Sequence, residues 1–231
     1  MYGQFGKLGA IFLRVTFVAS ILLIQARIPA EAADEKFANC QEFASSSVPK
    51  DILWKVLARN GKSKTYTQIF ALDGGTVGIA NFAVGSLASL YRLMDTQKYF
   101  GRTKEDMIEY FSDKCRPGNH SGNDTGWGCY SKKWWRDGMT AFVNSPESES
   151  VQDQAWLAQM KPTVDLALGH GWTSARSLAI ATGVANSVGG GGFNSLAAKH
   201  GWDPEKVLVA YAGNNAHRKR RRAAIDSAFP G

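Results

Sequence analysis

The residues that could do chemistry gather first around Asp73. The stretch Ala71 to Gly85 reads ALDGGTVGIANFAVG: an acid, two glycines, then small and apolar residues before a helical pattern near Leu87. Asp-Gly between extended residues is a strong hairpin signal, because glycine tolerates the positive φ that such turns need. A carboxylate at a hairpin tip is exposed yet rigidly aimed, which suits a catalytic or ligand-contacting acid. The same residues also make a good turn with no chemistry, since Asp and Gly favour turns on conformational grounds alone.

Spacing elsewhere argues against several other chemistries. His120, His170, His200 and His217 stand apart with no metal-ligand spacing, so neither a metal nor a cofactor is expected. No nucleophile elbow, phosphate-binding loop or dinucleotide fingerprint is present. Gly189 to Gly192 lack the Lys-Ser or Lys-Thr of a phosphate cradle and read as a flexible turn. The run His217 to Arg222 has two readings. It binds an anionic polymer or nucleic acid, or it lies in solvent on a terminal helix and complements the C-terminal dipole.

Three elements of composition set the compartment. Lys7 and Arg14 precede an apolar run, Val15 to Ile24, and Ala30-Glu31-Ala32 reads as a small-residue cleavage site. The run is about half of the ~20 residues a membrane span needs. Residues 1–32 are therefore expected to be a cleaved signal peptide and 33–231 a single domain, secreted or periplasmic, with no stable membrane insertion afterwards. Such export argues against nucleic acid as a partner. Cleavage removes three cations (Lys7, Arg14, Arg27) and one anion (Glu31), taking the net charge from +7 to +5. A basic exported protein is drawn to anionic surfaces. Of three cysteines, Cys115 and Cys129 bracket a loop rich in Gly, Asn and Ser, where a bridge would contribute ~3 kcal/mol by loop entropy. Cys40 with Cys115 is the competing pairing.

The elements that must position Asp73 follow from periodicity. A short helix is expected before Ser45-Ser46-Ser47, then a helix over Ile52 to Arg59 with Asp51 as its cap, stopped by Asn60-Gly61. Thr65, Tyr66 and Thr67 suggest a strand over 62–68, which Ile69 to Leu72 continue into the hairpin. Helices follow at 85–94, 104–114 (capped by Thr103) and around Trp134 to Val143. Two more are expected on either side of Pro162, then 174–188, 193–200, and a last one from Glu205 to about Ser227 that carries the basic run. The class is mainly α with a small β-hairpin, and there are no internal repeats.

A helix with a polar link, a small sheet bearing Asp73-Gly74-Gly75, then Gly78-Ile79-Ala80-Asn81-Phe82 with Gly85 and Leu90, resembles the lysozyme superfamily. It is most similar there to the bacterial chitosanases. A second likeness lies at Gln154-Ala155-Trp156 and over Leu178 to Gly192. The resemblance implies a two-lobed lysozyme-like (α+β) fold and an inverting glycoside hydrolase. In that family a Glu at the end of the first long helix protonates the leaving oxygen, and an Asp in the following hairpin activates water. Asp73 matches the Asp. At the helix end stands Arg59, whose guanidinium holds its proton at neutral pH and is no acid. Glu42 and Asp51 are the nearest upstream carboxylates. Arg59, Asn60, Thr76, Asn81 and Trp127 are the expected substrate contacts, Trp127 because sugar rings stack on exposed aromatic faces.

The expected partner is a polysaccharide, either peptidoglycan or a chitosan-type glycan. The basic charge suits an anionic glycan better than polycationic chitosan. A non-catalytic glycan-binding or interaction protein on the same fold is the rival reading, and a secreted effector or toxin is the third.

Overall fold

The computed structural model describes residues 35–58, 65–114 and 128–231. The leader 1–32, Arg59, Asn60, Cys115 and Trp127 lie outside the described residues. Within them the chain is mainly helical with one antiparallel sheet of two strands.

α1 (Cys40–Ser45) starts on a reciprocal cap. Asn39 accepts from the Glu42 N–H, and the Glu42 carboxylate accepts from the Asn39 amide and the Ala38 N–H. α2 (Val48–Asp51) runs without a break into a π-helical segment, Ile52–Leu57, which buries Ile52, Leu53, Val56 and Leu57. Asp51 therefore sits inside a continuous helix and caps nothing; its carboxylate pairs with Lys55 at 2.9 Å. The strand expected over 62–68 is, at Thr65–Thr67, a 3-10 turn. Pairing begins only at β1 (Ile69–Phe70), which meets β2 (Thr76–Val77) with Ile69 opposite Val77 and Phe70 opposite Thr76.

α3 (Leu87–Leu93) is followed by α4 (Thr96–Phe100), which the periodicity did not reveal. Local capping makes α4: the Asp95 side chain accepts from the Lys98 N–H at 3.0 Å, and Gly101 stops it at φ 62°. α5 (Lys104–Lys114) forms where expected, and Thr103 accepts from the Asp106 N–H at 3.1 Å. α6 (Lys133–Val143) ends at Asn144.

α7 (Ser148–Gly169) is one helix that runs through Pro162, where two were expected. An interior proline removes a hydrogen bond and crowds the preceding turn, at about 3 kcal/mol. Burial on both sides of it, by Trp156 and Met160 before and Val164 and Ala167 after, outweighs that local preference. α8 (Ala175–Lys199) is broken within by Gly189 at φ 77°, ψ 162°, as the glycine run suggested.

The last expected helix is two. α9 (Pro204–Ala212) stops at Gly213, φ 42°, and α10 (Ala216–Ala228) restarts on Asn215, which accepts from the Arg218 N–H at 3.0 Å. α8 lies between α7 and α9, α3 packs on α7, and α10 packs on the π-helical segment. Trp135, Trp156, Tyr91, Phe43 and Phe193 fill this core. Among the described residues, no helix is long and apolar enough to cross a membrane.

Candidate functional site

The five residues 71–75 that join β1 to β2 carry Asp73 at the closed end of the hairpin. Asp73 (φ 52°), Gly74 (φ 76°) and Gly75 (φ 137°) take positive φ in succession. Asp and Asn are among the few side-chain-bearing residues that enter this region readily, through local hydrogen bonding. The turn closes with the Gly74 N–H donating to the Ala71 carbonyl at 3.1 Å. Asp73 is exposed while Ala71, Gly74 and Gly75 around it are buried, so the carboxylate meets solvent from a fixed base.

That base is built from contacts too close for a side chain. A Cβ on Gly75 would lie 2.8 Å from Cη2 of Trp135, and one on Gly128 would lie 2.5 Å from Cα of Gly74. Trp135, fully buried in α6, is held in turn by its Nε1–H, which donates to the Tyr91 hydroxyl at 2.7 Å. Burial pushes that phenol well above its ordinary range, so it stays a neutral partner. Trp134, its neighbour in sequence, faces elsewhere, against Tyr110 and under Arg102.

The open end of the hairpin rests on α7. Gln152 is fully buried and accepts from the Ile79 N–H at 3.2 Å. Its amide donates to the Tyr66 carbonyl at 2.8 Å and to Ser148 Oγ at 2.9 Å. Gly78, at φ 71°, makes room for it: a Cβ there would stand 1.8 Å from Gln152 Oε1. Just beyond, the Ala80 carbonyl accepts from Asn186 Nδ2 at 3.2 Å, and Asn186 Oδ1 accepts from Trp156 Nε1 at 3.2 Å. α7 and α8 thus hold the hairpin from beneath.

Beside Gln152 lies a second group of polar and aromatic residues. The Tyr66 hydroxyl donates to Asp153 Oδ1 at 2.5 Å, and Trp54, 38% exposed, meets Tyr66 edge to face at 5.2 Å. Burial raises the Asp153 carboxyl above its usual range, while the Tyr66 hydrogen bond and Lys50 act the other way. Lys50 pairs with Glu149 at 3.0 Å.

The remaining expected site residues are scattered. Glu42 is committed to the first turn of α1 and Asp51 to Lys55. Thr76 is 1% exposed in β2, where its neighbour Val77 is buried as well, so it has almost no surface to offer a ligand. Asn81 is half-buried at φ 54°, in the turn that returns Phe82 to Val77. Sequence reasoning did not find Gln152, Asp153, Trp54 or Asn186. Their only local signal was the Gln-Ala-Trp stretch at 154–156, which lies next to two of them. Among the described residues, no group of three or more His, Cys, Asp or Glu could hold a metal. Cys40 is a free thiol.

No family model and no curated protein matches the sequence. Two solved structures are similar to it, both of a chitosanase from Bacillus subtilis MY002. One is a glutamate-to-alanine mutant complexed with six GlcN, at 17% identity, TM-score 0.51, covering 79% of this chain and 83% of that one. The native enzyme matches at 16% identity with the same TM-score and coverage. The fold thus resembles that of a chitosanase.

Proposed function

We propose that this chain is an exported glycan-active protein, a glycoside hydrolase of the chitosanase or peptidoglycan-hydrolase type, in which Asp73 activates water. The observation that carries this reading is an exposed carboxylate on a rigidly backed turn, in a chain whose fold resembles a chitosanase. In an inverting reaction the Asp73 carboxylate takes a proton from water as the water oxygen bonds to the anomeric carbon. The glycosidic bond breaks to the leaving oxygen, which an acid must protonate. No carboxylate is assigned to that second role.

Arg59 at the expected acid position favours the alternative, a glycan-binding protein that keeps the fold without turnover. Export rests on residues 1–32, and a Cys115–Cys129 bridge is supported by Cys40 being free. Trp54 and Tyr66, beside Asp153, supply an aromatic and a carboxylate of the kind that contacts sugar.

The test is reducing-end release from chitosan and from peptidoglycan by residues 33–231, with Asp73→Asn as control. Asn also enters the left-handed region, so the turn survives the change. The expected result is turnover that falls by about a hundredfold or more in the variant at unchanged melting temperature. Saturable binding by the wild type with no release selects the alternative, and full activity in Asp73→Asn removes Asp73 from the mechanism.

A further inference from the structure

The break at Gly213 to Asn215 moves the basic run to the opposite end of a helix from the one the sequence suggested. His217 to Arg222 fall in the first two turns of α10, which carry no acid. Cations complement a helix dipole at its C-terminus; here they crowd the N-terminus, where the free backbone N–H groups are already positive. The Asn215 cap satisfies one of those N–H groups but adds no negative charge. Like charges three or four residues apart, as in Lys219 with Arg222 and Arg218 with Arg222, repel as well. This placement is electrostatically unfavourable in the isolated protein.

The six residues divide by face. Arg221 points inward, 6% exposed, and donates to the Gly183 carbonyl at 3.1 Å, in line with buried Ile225 and Ala228. It anchors the helix. Lys219 and Arg220 are exposed, and Arg218 stands over the Tyr211 ring with its guanidinium carbon 5.4 Å from the centroid. None of these three makes an ion pair among the described residues; Arg222 reaches Asp226 only at 3.6 Å. Packing explains Arg221 and the Tyr211 ring engages one face of Arg218, while Lys219 and Arg220 are exposed and make no ion pair among the described residues.

We propose that the N-terminal half of α10 is a docking surface for a linear anionic polysaccharide, whose carboxylate or phosphate groups pair with Arg218, Lys219 and Arg220. An anion there relieves the repulsion and meets the helix N-terminus at once. The face of α10 that carries Ile225 and Ala228 is buried in the protein, so no apolar face remains to enter a bilayer. The choice of a polysaccharide over another polyanion rests on the glycan reading above; the anion-binding face itself does not.

The test measures binding of fluorescein-labelled polygalacturonate by anisotropy, from 50 to 200 mM NaCl, with 20-bp duplex DNA and phosphatidylserine vesicles as competing probes. The variant is Arg218→Gln/Lys219→Gln/Arg220→Gln, which leaves Arg221 in place. Expected are saturable binding by the wild type that weakens at least tenfold across the salt range, as phosphate contacts do for nucleic acids, and at least tenfold weaker binding by the variant at 50 mM. The unliganded variant should melt at or above the wild-type temperature, and polygalacturonate should raise only the wild-type value. Equal affinity in wild type and variant, or no binding at 50 mM, overturns the proposal. Tighter binding to DNA or vesicles overturns the choice of polysaccharide. Reducing-end release from chitosan and peptidoglycan is scored separately from this binding, so failure of the hydrolase reading and failure of this surface are separate results.

Discussion

The contact between Gly78 and Gln152 makes a prediction that can be worked through in energy. Gly78→Ala places a Cβ 1.8 Å from Gln152 Oε1, a distance no relaxation of the Cβ alone can relieve. The Gln152 side chain must swing out, which abandons the Ile79 N–H, the Tyr66 carbonyl and Ser148 Oγ. Two of these are buried main-chain groups, each costing about 1–3 kcal/mol when orphaned. Alanine at φ 71° adds about 1–2 kcal/mol of backbone strain. With about 1.5 kcal/mol for each orphaned group, the single variant should therefore lose roughly 4–5 kcal/mol. Gln152→Ala alone should lose about 3 kcal/mol through the same orphaned groups.

The double variant keeps the strain but loses the Gln152 hydrogen bonds only once, because truncating the side chain at position 152 leaves room for the new methyl. It should fall about 4–5 kcal/mol below wild type, well short of the sum, with a coupling of about 2–3 kcal/mol. Urea unfolding of the four proteins, at constant m-value, measures this directly. Additivity within about 0.5 kcal/mol would refute the view that Gly78 is glycine to admit the Gln152 amide.

Three further outcomes are expected. Burial raises the Asp153 carboxyl, so protonation favours the folded state, and its contribution grows as pH falls through the raised folded value. The melting temperature of wild type minus that of Asp153→Asn should rise from pH 7 toward pH 4, and a flat difference refutes the shift. Peptide mapping without reductant should recover Cys115 joined to Cys129 and Cys40 as an alkylated thiol; a Cys40-containing bridge contradicts the free thiol. Trp54→Ala, at a 38% exposed side chain, should weaken glycan binding several-fold with a melting temperature near that of wild type. Unchanged affinity, read by titration with a GlcN oligomer, excludes Trp54 from the binding surface.

What was legible in the sequence was what local chemistry fixes. Asp73-Gly74-Gly75 announces its turn because three successive positive φ angles need those residue types. The α5 start is equally plain, since Thr103 and Asp106 satisfy each other across three residues. Where tertiary burial opposes a local signal, reading failed. Pro162 reads as a stop, yet α7 continues because both of its halves bury apolar residues in the same core. Gly213 to Asn215 lie inside the single helix expected from Glu205 to about Ser227, yet the chain stops at Gly213 and restarts on the Asn215 cap. The support beneath the hairpin was invisible for a different reason. Gln152 meets Ile79 across 73 residues and Asn186 meets Ala80 across 106, and no local pattern marks such pairs.

The turn that presents Asp73 takes its shape from residues that are not part of it: the indole of Trp135, and a glycine at 128 with no side chain to intrude. The acid itself bears none of that scaffolding. Tip and backing are thus separable: a residue that accepts a positive φ could replace the acid without disturbing the indole or the glycine behind it.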